Sequence, residues 1–124
     1  GMNHPGEIAY LTRLARPTVA IVNNAQRAHL QGVGTLTEVA REKGCIYEGL
    51  RDDGVAVINV DDPHAAYWRE LNDGRRIVTF GIDHDADVRG QCTLHGLGAR
   101  LVLDTAQGRV DIVLQVPGLH NARN

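Results

Sequence analysis

Apolar positions along this chain change their period partway through. Ile8, Leu11 and Leu14 recur at helical spacing and predict a helix over residues 5–15. Arg16-Pro17 ends it, because the residue before a proline is pushed out of helical geometry. Thr18 to Val22 is a short, continuously apolar run, the pattern of a strand inside a parallel sheet covered on both faces. Thr35 and Glu38 form a T-x-x-E capping box, so a second helix starts there with the stripe Leu36, Val39, Ala40, Ile46, Tyr47 and Leu50. Gly44 within that stretch costs about 1 kcal/mol relative to alanine and points to close packing or a nearby ligand. Val55 to Val60 reads as a second buried strand. Asp61-Asp62-Pro63 opens a short helix that reaches Asn72 and closes at Gly74, and Arg76 to Gly81 is a third strand.

After Asp83 the period becomes two. Val88, Gly90, Cys92 and Leu94 alternate with polar positions, as do Ala99, Leu101 and Leu103, then Val110, Ile112, Leu114 and Val116. Turns fall at Gly96-Leu-Gly98 and Thr105-Ala-Gln-Gly108. The fold class is therefore α/β: a parallel sheet with helical crossovers, followed by an antiparallel β meander with one wet face. Pro117 to Asn124 reads as the start of a helix.

Composition narrows the function classes. With 124 residues the chain holds one domain at most. A formal net charge of -2 and an aromatic fraction of 4% fit neither a basic nucleic-acid surface nor a base-stacking platform. No apolar run reaches membrane-span length and no signal-peptide pattern opens the chain, so a cytoplasmic setting is expected. Cys45 and Cys92 lie far apart and make no metal-binding pair.

The candidate chemistry gathers at strand ends. Ligands of open parallel sheets bind at the carboxyl edge. Asn23, Asn24 and His29 follow one such end, and Asn59, Asp61 and Asp62 follow another. His29 offers a neutral imidazole to a metal or a phosphate. Lys43 lies in the apolar stripe of the second helix, seven residues from both Leu36 and Leu50. One reading has its stem covering apolar surface while the ammonium snorkels to water. The other has burial lowering its pKa, so that the neutral amine reacts with carbon dioxide to give a carbamate, a bidentate oxygen ligand suited to Mg²⁺. Asp83-His-Asp-Ala-Asp87 reads as a solvated turn between two sheet systems, Cys45 as inert packing, and Arg75-Arg76 as surface charge. Asn3-His4-Pro5-Gly6-Glu7 reads either as a cap of the first helix or as a substrate loop.

Five segments in register resemble the Mur ligases, ATP-dependent amide-bond-forming enzymes of peptidoglycan synthesis. They are residues 1–8, Asn23-Asn24 through His29-Leu-Gln-Gly32, Lys43-Gly-Cys-Ile-Tyr47, Asn59-Val-Asp-Asp62 and residues 117–124. Residues 1–8 look like the branch whose substrates are D-alanyl-D-alanine and UDP-N-acetylmuramoyl-tripeptide. The resemblance implies ATP and Mg²⁺ as cofactors and a reaction that passes through an acyl phosphate. It implies that His29 binds magnesium, that Lys43 is the carbamylated lysine holding a second magnesium, and that Asn121 and Asn124 approach adenine. Asn3 and His4 would line the muramyl-peptide side. Asn59 and Asp61 match a family motif without an assigned catalytic role.

The departures shape the expectation as much. No G-x-x-x-x-G-K-[ST] phosphate loop is present. The resemblance places the family's magnesium-binding glutamate two residues before Gly1. The chain is therefore expected to be an internal part of a central ATPase domain: α/β over 1–82, antiparallel over 83–116 and a truncated helix start over 117–124. By itself it is expected to be inactive, with Lys43 unmodified and residues 119–124 frayed or held by neighbours. The alternatives are another Mur ligase, a folylpolyglutamate synthase-like ligase, against which Asn3 to Glu7 argue, and a non-catalytic nucleotide- or partner-binding domain.

Overall fold

The structure, a computed structural model, describes residues 2–26 and 34–124. Helix α1 (Glu7–Ala15) leads to strand β1 (Val19–Val22). Helix α2 (Leu36–Gly44) runs into a 3₁₀ turn over Cys45–Gly49 and strand β2 (Val55–Asn59). Helix α3 (Ala65–Glu70) precedes β3 (Arg76–Gly81). The meander β4 (Val88–His95), β5 (Gly98–Thr105) and β6 (Gly108–Leu114) follows, then a short helix α4 (Leu119–Arg123).

All six strands join one sheet in sequence order. The first three pair in parallel, with Ala20 opposite Ala56 and Ala56 opposite Ile77, and β4 to β6 pair antiparallel. The expected two sheet systems are thus one. Strand β4 joins β3 in parallel through Phe80–Val88 and Gly81–Arg89 after a link of only a few residues, where a parallel connection ordinarily needs a dozen or more. Asp87 makes the short link workable. Its carboxylate accepts the Thr79 N–H at 2.8 Å and the Thr79 hydroxyl at 2.7 Å, and that hydroxyl accepts the Asp87 N–H at 3.0 Å.

The core lies between one face of the parallel strands and the helices. Ala20, Val22, Ala56 and Ile58 pack there against Val39, Ala40, Tyr47 and Trp68. Trp68 is fully buried and its indole N–H donates to the Ala40 carbonyl at 3.0 Å, which joins α3 to α2. Gly44 is a packing position: a Cβ there would meet Leu71 at 2.9 Å and Trp68 at 3.3 Å.

Two burial expectations need correction. Strand β1 is covered on one face among the described residues, leaving Val19 57% and Ile21 53% exposed. A continuous apolar run does not reveal that α1, α2 and α3 all contribute to a single face. Helix α1 does not bury Leu11 and Leu14, which are exposed; its inward residues are Ile8, partly buried, and Thr12. The small Thr12 lets α1 lie against the 3₁₀ turn, where its hydroxyl donates to the Ile46 carbonyl at 2.8 Å. At the N-terminus of α1 the buried Glu42 of α2 accepts the Gly6 N–H on both carboxylate oxygens at 3.0 Å, and the Ile8 N–H at 3.3 Å. That carboxylate satisfies donors that the helix itself leaves unpaired.

The closest approach of α1 is at Gly49, where a Cβ would stand 2.3 Å from the Thr12 carbonyl oxygen and 2.5 Å from its carbon. Backbone cannot yield as a side-chain tip does. Gly49→Ala is expected to destabilise the chain by about 2–3 kcal/mol in urea denaturation. A loss under about 0.5 kcal/mol would show that α1 moves aside freely.

Candidate active site

The turn Asn59-Val60-Asp61-Asp62 ties together the carboxyl ends of three strands. Asn59 ends β2, and its side-chain amide N–H donates to the Asn23 carbonyl just past β1 at 2.8 Å, while its side-chain Oδ1 accepts the Asp61 N–H at 2.9 Å. Asp61 reaches across to the end of β3, accepting the N–H groups of Ile82 at 2.6 Å and His84 at 3.0 Å, and that of Asp83 on both oxygens. The His84 ring lies 2.9 Å away. Burial alone would raise the Asp61 pKa, but these bonds from Ile82, His84 and Asp83 outweigh it and hold the carboxyl below its ordinary value. Asp62 turns the other way. Its Oδ2 accepts the Ala25 N–H at 2.7 Å and its Oδ1 accepts the His64 N–H at 2.8 Å.

Lys43 meets this edge from α2. Its Nζ donates to the Asn24 carbonyl at 2.5 Å. The side chain is half-buried and lines an open cleft with Ile8, Ile21, Val22 and Ile46. Burial lowers its pKa, and the Asp62 charge offsets this only in part. A carbamate formed here would retain one N–H for the Asn24 carbonyl, so the residues present fit that modification: R–NH₂ and CO₂ give R–NH–COO⁻ and a proton. Sequence offers a sharper signal than stripe position, since Lys43 is the sole lysine beside 12 arginines. A guanidinium cannot become the neutral amine that this chemistry needs.

Helix α4 docks on the same edge, held by neighbours. The Asn124 Oδ1 accepts both the Asn24 amide at 3.0 Å and the Asn23 amide at 3.2 Å, and Arg123 pairs with Asp83 at 2.7 Å. Asn121 instead donates to the Pro117 carbonyl at 2.6 Å. Asn124 therefore keeps its amide N–H donors free of those bonds, and Asn121 keeps its carbonyl acceptor. An open cleft of about 460 Å³ on this edge is lined by Asn24, Leu36, Asp62, Pro63, Asp83 and Arg123, among others, and Asn124 lines a second cleft of about 350 Å³ with Ile21, Asn23 and Asn59.

The remaining predicted residues are placed less directly. His29 lies outside the described residues. Asn3 and His4 are exposed ahead of α1, where the Glu7 carboxylate accepts the N–H of Asn3 at 2.6 Å and of His4 at 3.1 Å and pairs with the His4 ring at 3.2 Å. The segment folds back on Glu7 without a side-chain cap at Gly6, the first helical N–H groups being met by Glu42 instead. Through Gly6 and Glu42 it is tied to the residue adjacent to Lys43. Burial and the neighbouring Glu48 push the Cys45 thiol up to about 11. Asp83–Asp87 is a turn bound to Asp61, Arg89, Arg123 and Thr79. Among the described residues no group of three or more acidic, histidine or cysteine side chains is arranged to hold a metal ion. Sequence reasoning missed Glu42 and the linking role of Asn24, because both act on partners far away in the chain.

The family model described as Mur ligase middle domain matches residues 1–124. UDP-N-acetylmuramoyl-tripeptide–D-alanyl-D-alanine ligase of Escherichia coli (strain K12) is 37% identical over 126 residues, covering 100% of this chain and 28% of that protein. UDP-N-acetylmuramate–L-alanine ligase of Arthrobacter sp. is 40% identical over 113 residues, covering 88% of this chain and 23% of that protein. The crystal structure of MurF from Acinetobacter baumannii superposes with a TM-score of 0.89 at 33% identity, over 99% of this chain and 27% of that one. The chain thus spans about a quarter of the length of these relatives.

The Lys43 environment has a direct consequence in pH. The folded lysine binds fewer protons than the unfolded one between its lowered pKa and the ordinary 10.5, so its contribution to stability rises with pH across that window. Lysine-selective ¹³C NMR reports this single residue and is expected to show a titration midpoint below 10.5. An ordinary midpoint would mean that the ammonium snorkels freely to water.

Proposed function

The chain belongs to the Mur ligase family as its middle domain, and from that premise we propose that it is the nucleotide-handling part of an ATP-dependent ligase. The substrates proposed are UDP-N-acetylmuramoyl-tripeptide and D-alanyl-D-alanine, joined in the cytoplasm during peptidoglycan synthesis. In this reading residues 1–82, 83–116 and 117–124 are successive parts of one partial domain. No helix among the described residues is long and apolar enough to cross a membrane.

One observation carries the proposal: Asn24 holds Lys43 by its main-chain carbonyl and Asn124 by its side chain. A basic group fit for carbamylation and an adenine-type amide thus share a single anchor at the carboxyl edge of a parallel sheet. When bound, ATP supplies the phosphoryl group that activates the tripeptide carboxylate, and Mg²⁺ neutralises the charge on it. Lys43, as its carbamate, and His29 would hold magnesium. Asn121 presents an acceptor and Asn124 presents donors, the complement of the amine and ring nitrogen on one edge of adenine. Asn3 and His4 would face the muramyl-peptide side. The identity to an L-alanine ligase favours a second reading, another Mur branch with UDP-N-acetylmuramate as acceptor.

Assays on the intact ligase carrying this domain separate these readings. ATP-dependent joining of D-alanyl-D-alanine to the tripeptide supports the first, and joining of L-alanine to UDP-N-acetylmuramate supports the second. Lys43→Ala is expected to lower kcat on the order of 10²-fold or more, with partial rescue by short-chain carboxylates. Near-normal turnover in that variant would remove Lys43 from the site. Asn124→Ala is expected to raise the KM for ATP about fivefold while kcat stays within about twofold, since adenine lies away from the transferred phosphate. An unchanged KM would exclude Asn124.

A further inference from the structure

Lys43 does not hold its own acceptor in place. The Asn24 carbonyl belongs to an irregular segment after β1, and the peptide groups on both sides of it are pinned by side chains from the end of β2 and the turn that follows it. On one side the Asn23 carbonyl accepts the Asn59 amide at 2.8 Å. On the other the Ala25 N–H donates to Asp62 at 2.7 Å. Ala25 is buried in the core cluster, so its N–H needs a protein acceptor. Asp62 is itself nearly enclosed, its side chain 6% exposed, and its second oxygen is engaged by the His64 N–H at 2.8 Å and the His64 ring at 3.1 Å. The carboxylate therefore bridges the start of α3 to the segment that presents the Lys43 acceptor.

We propose that Asp62 is a positioning residue for Lys43, acting through the Asn23–Ala25 segment whose Asn24 carbonyl holds the lysine amine. The proposal rests on the reading of Lys43 as a working group of the ligase. Two properties suit Asp62 to this task. A carboxylate accepts on both oxygens, so Ala25 and His64 are satisfied at once; an asparagine in its place would turn an NH₂ toward one of these two donors. Its charge also opposes the burial that acts on Lys43. Asn59 performs the matching task on the opposite side of Asn24, which accounts for the pairing of an asparagine and an aspartate three residues apart in this turn.

The test reads Lys43 without nucleotide or metal. In this chain, ¹⁵N-labelled lysine gives one Nζ signal. Its hydrogen exchange, and that of the Ala25 amide, is expected to be slow in the unaltered chain and to quicken at least about tenfold in Asp62→Asn. In the intact ligase the same substitution is expected to lower kcat about 10–100-fold while the KM for ATP stays within about twofold. A folded Asp62→Asn chain whose Lys43 exchange is unchanged would overturn the proposal, as would unchanged kcat in an active enzyme. If Asp62→Asn does not fold, Asn59→Asp replaces it: that variant loses the donor to the Asn23 carbonyl, must quicken the same Lys43 signal, and refutes the proposal if it does not. Should the intact protein show no ATP-dependent ligation, the functional reading fails, and the Lys43 exchange comparison still decides for or against positioning by Asp62.

Discussion

Acidic side chains that accept backbone N–H groups from other elements hold this domain together at its joints. Glu42 caps α1 from α2, Asp62 ties the segment after β1 to α3, Asp61 gathers the turn after β3, and Asp87 locks β4 beside β3. An unpaired backbone donor buried at any of these places would cost roughly 1–3 kcal/mol. Each carboxylate accepts at least two hydrogen bonds and strengthens them by its charge. At the β3–β4 junction this lets one continuous sheet form across a link too short for an ordinary parallel crossover.

The same device shapes the chemistry. Among the described residues no buried side-chain polar atom lacks a hydrogen-bond partner. At the carboxyl edge Lys43 donates to the Asn24 carbonyl, and burial and the Asp62 charge act on it in opposite senses, with burial the larger. Twelve arginines carry the rest of the positive charge, several of them in ion pairs on the surface such as Arg100–Asp111 and Arg109–Asp104. Lys43 is the sole lysine, and unlike a guanidinium its ammonium can lose its proton when burial disfavours the charge.

Much of the fold was legible because its causes are local. The Thr35–Glu38 capping box forms as written, with the Thr35 hydroxyl accepting the Glu38 N–H at 3.3 Å and Glu38 accepting the Thr35 N–H at 2.6 Å. The third strand matches its predicted limits, and the meander turns where glycine and polar residues cluster. Reading failed where burial depends on what lies opposite. Leu11 and Leu14 have helical spacing and still face solvent, because the neighbouring 3₁₀ turn accepts only the small Thr12 face of α1. Val19 and Ile21 are as apolar as Ala20 and Val22, and only the latter pair joins the core cluster under the helices.

The candidate site divides along the same line. Sequence by itself determined that asparagines and aspartates follow two parallel strand ends, that a lysine sits in the stripe of the helix between them, and that the motifs resemble those of one ligase family. These follow from spacing within a few residues, which periodicity and capping rules govern. Tertiary structure alone decided which of these groups touch. Asp62 meets Ala25 across 37 residues, Glu42 meets Gly6 across 36, and Asn124 meets Asn23 across 101. Such partners are chosen by how the crossovers stack on the sheet and by the demand that each buried donor find an acceptor, conditions that are met only once the whole chain is in place.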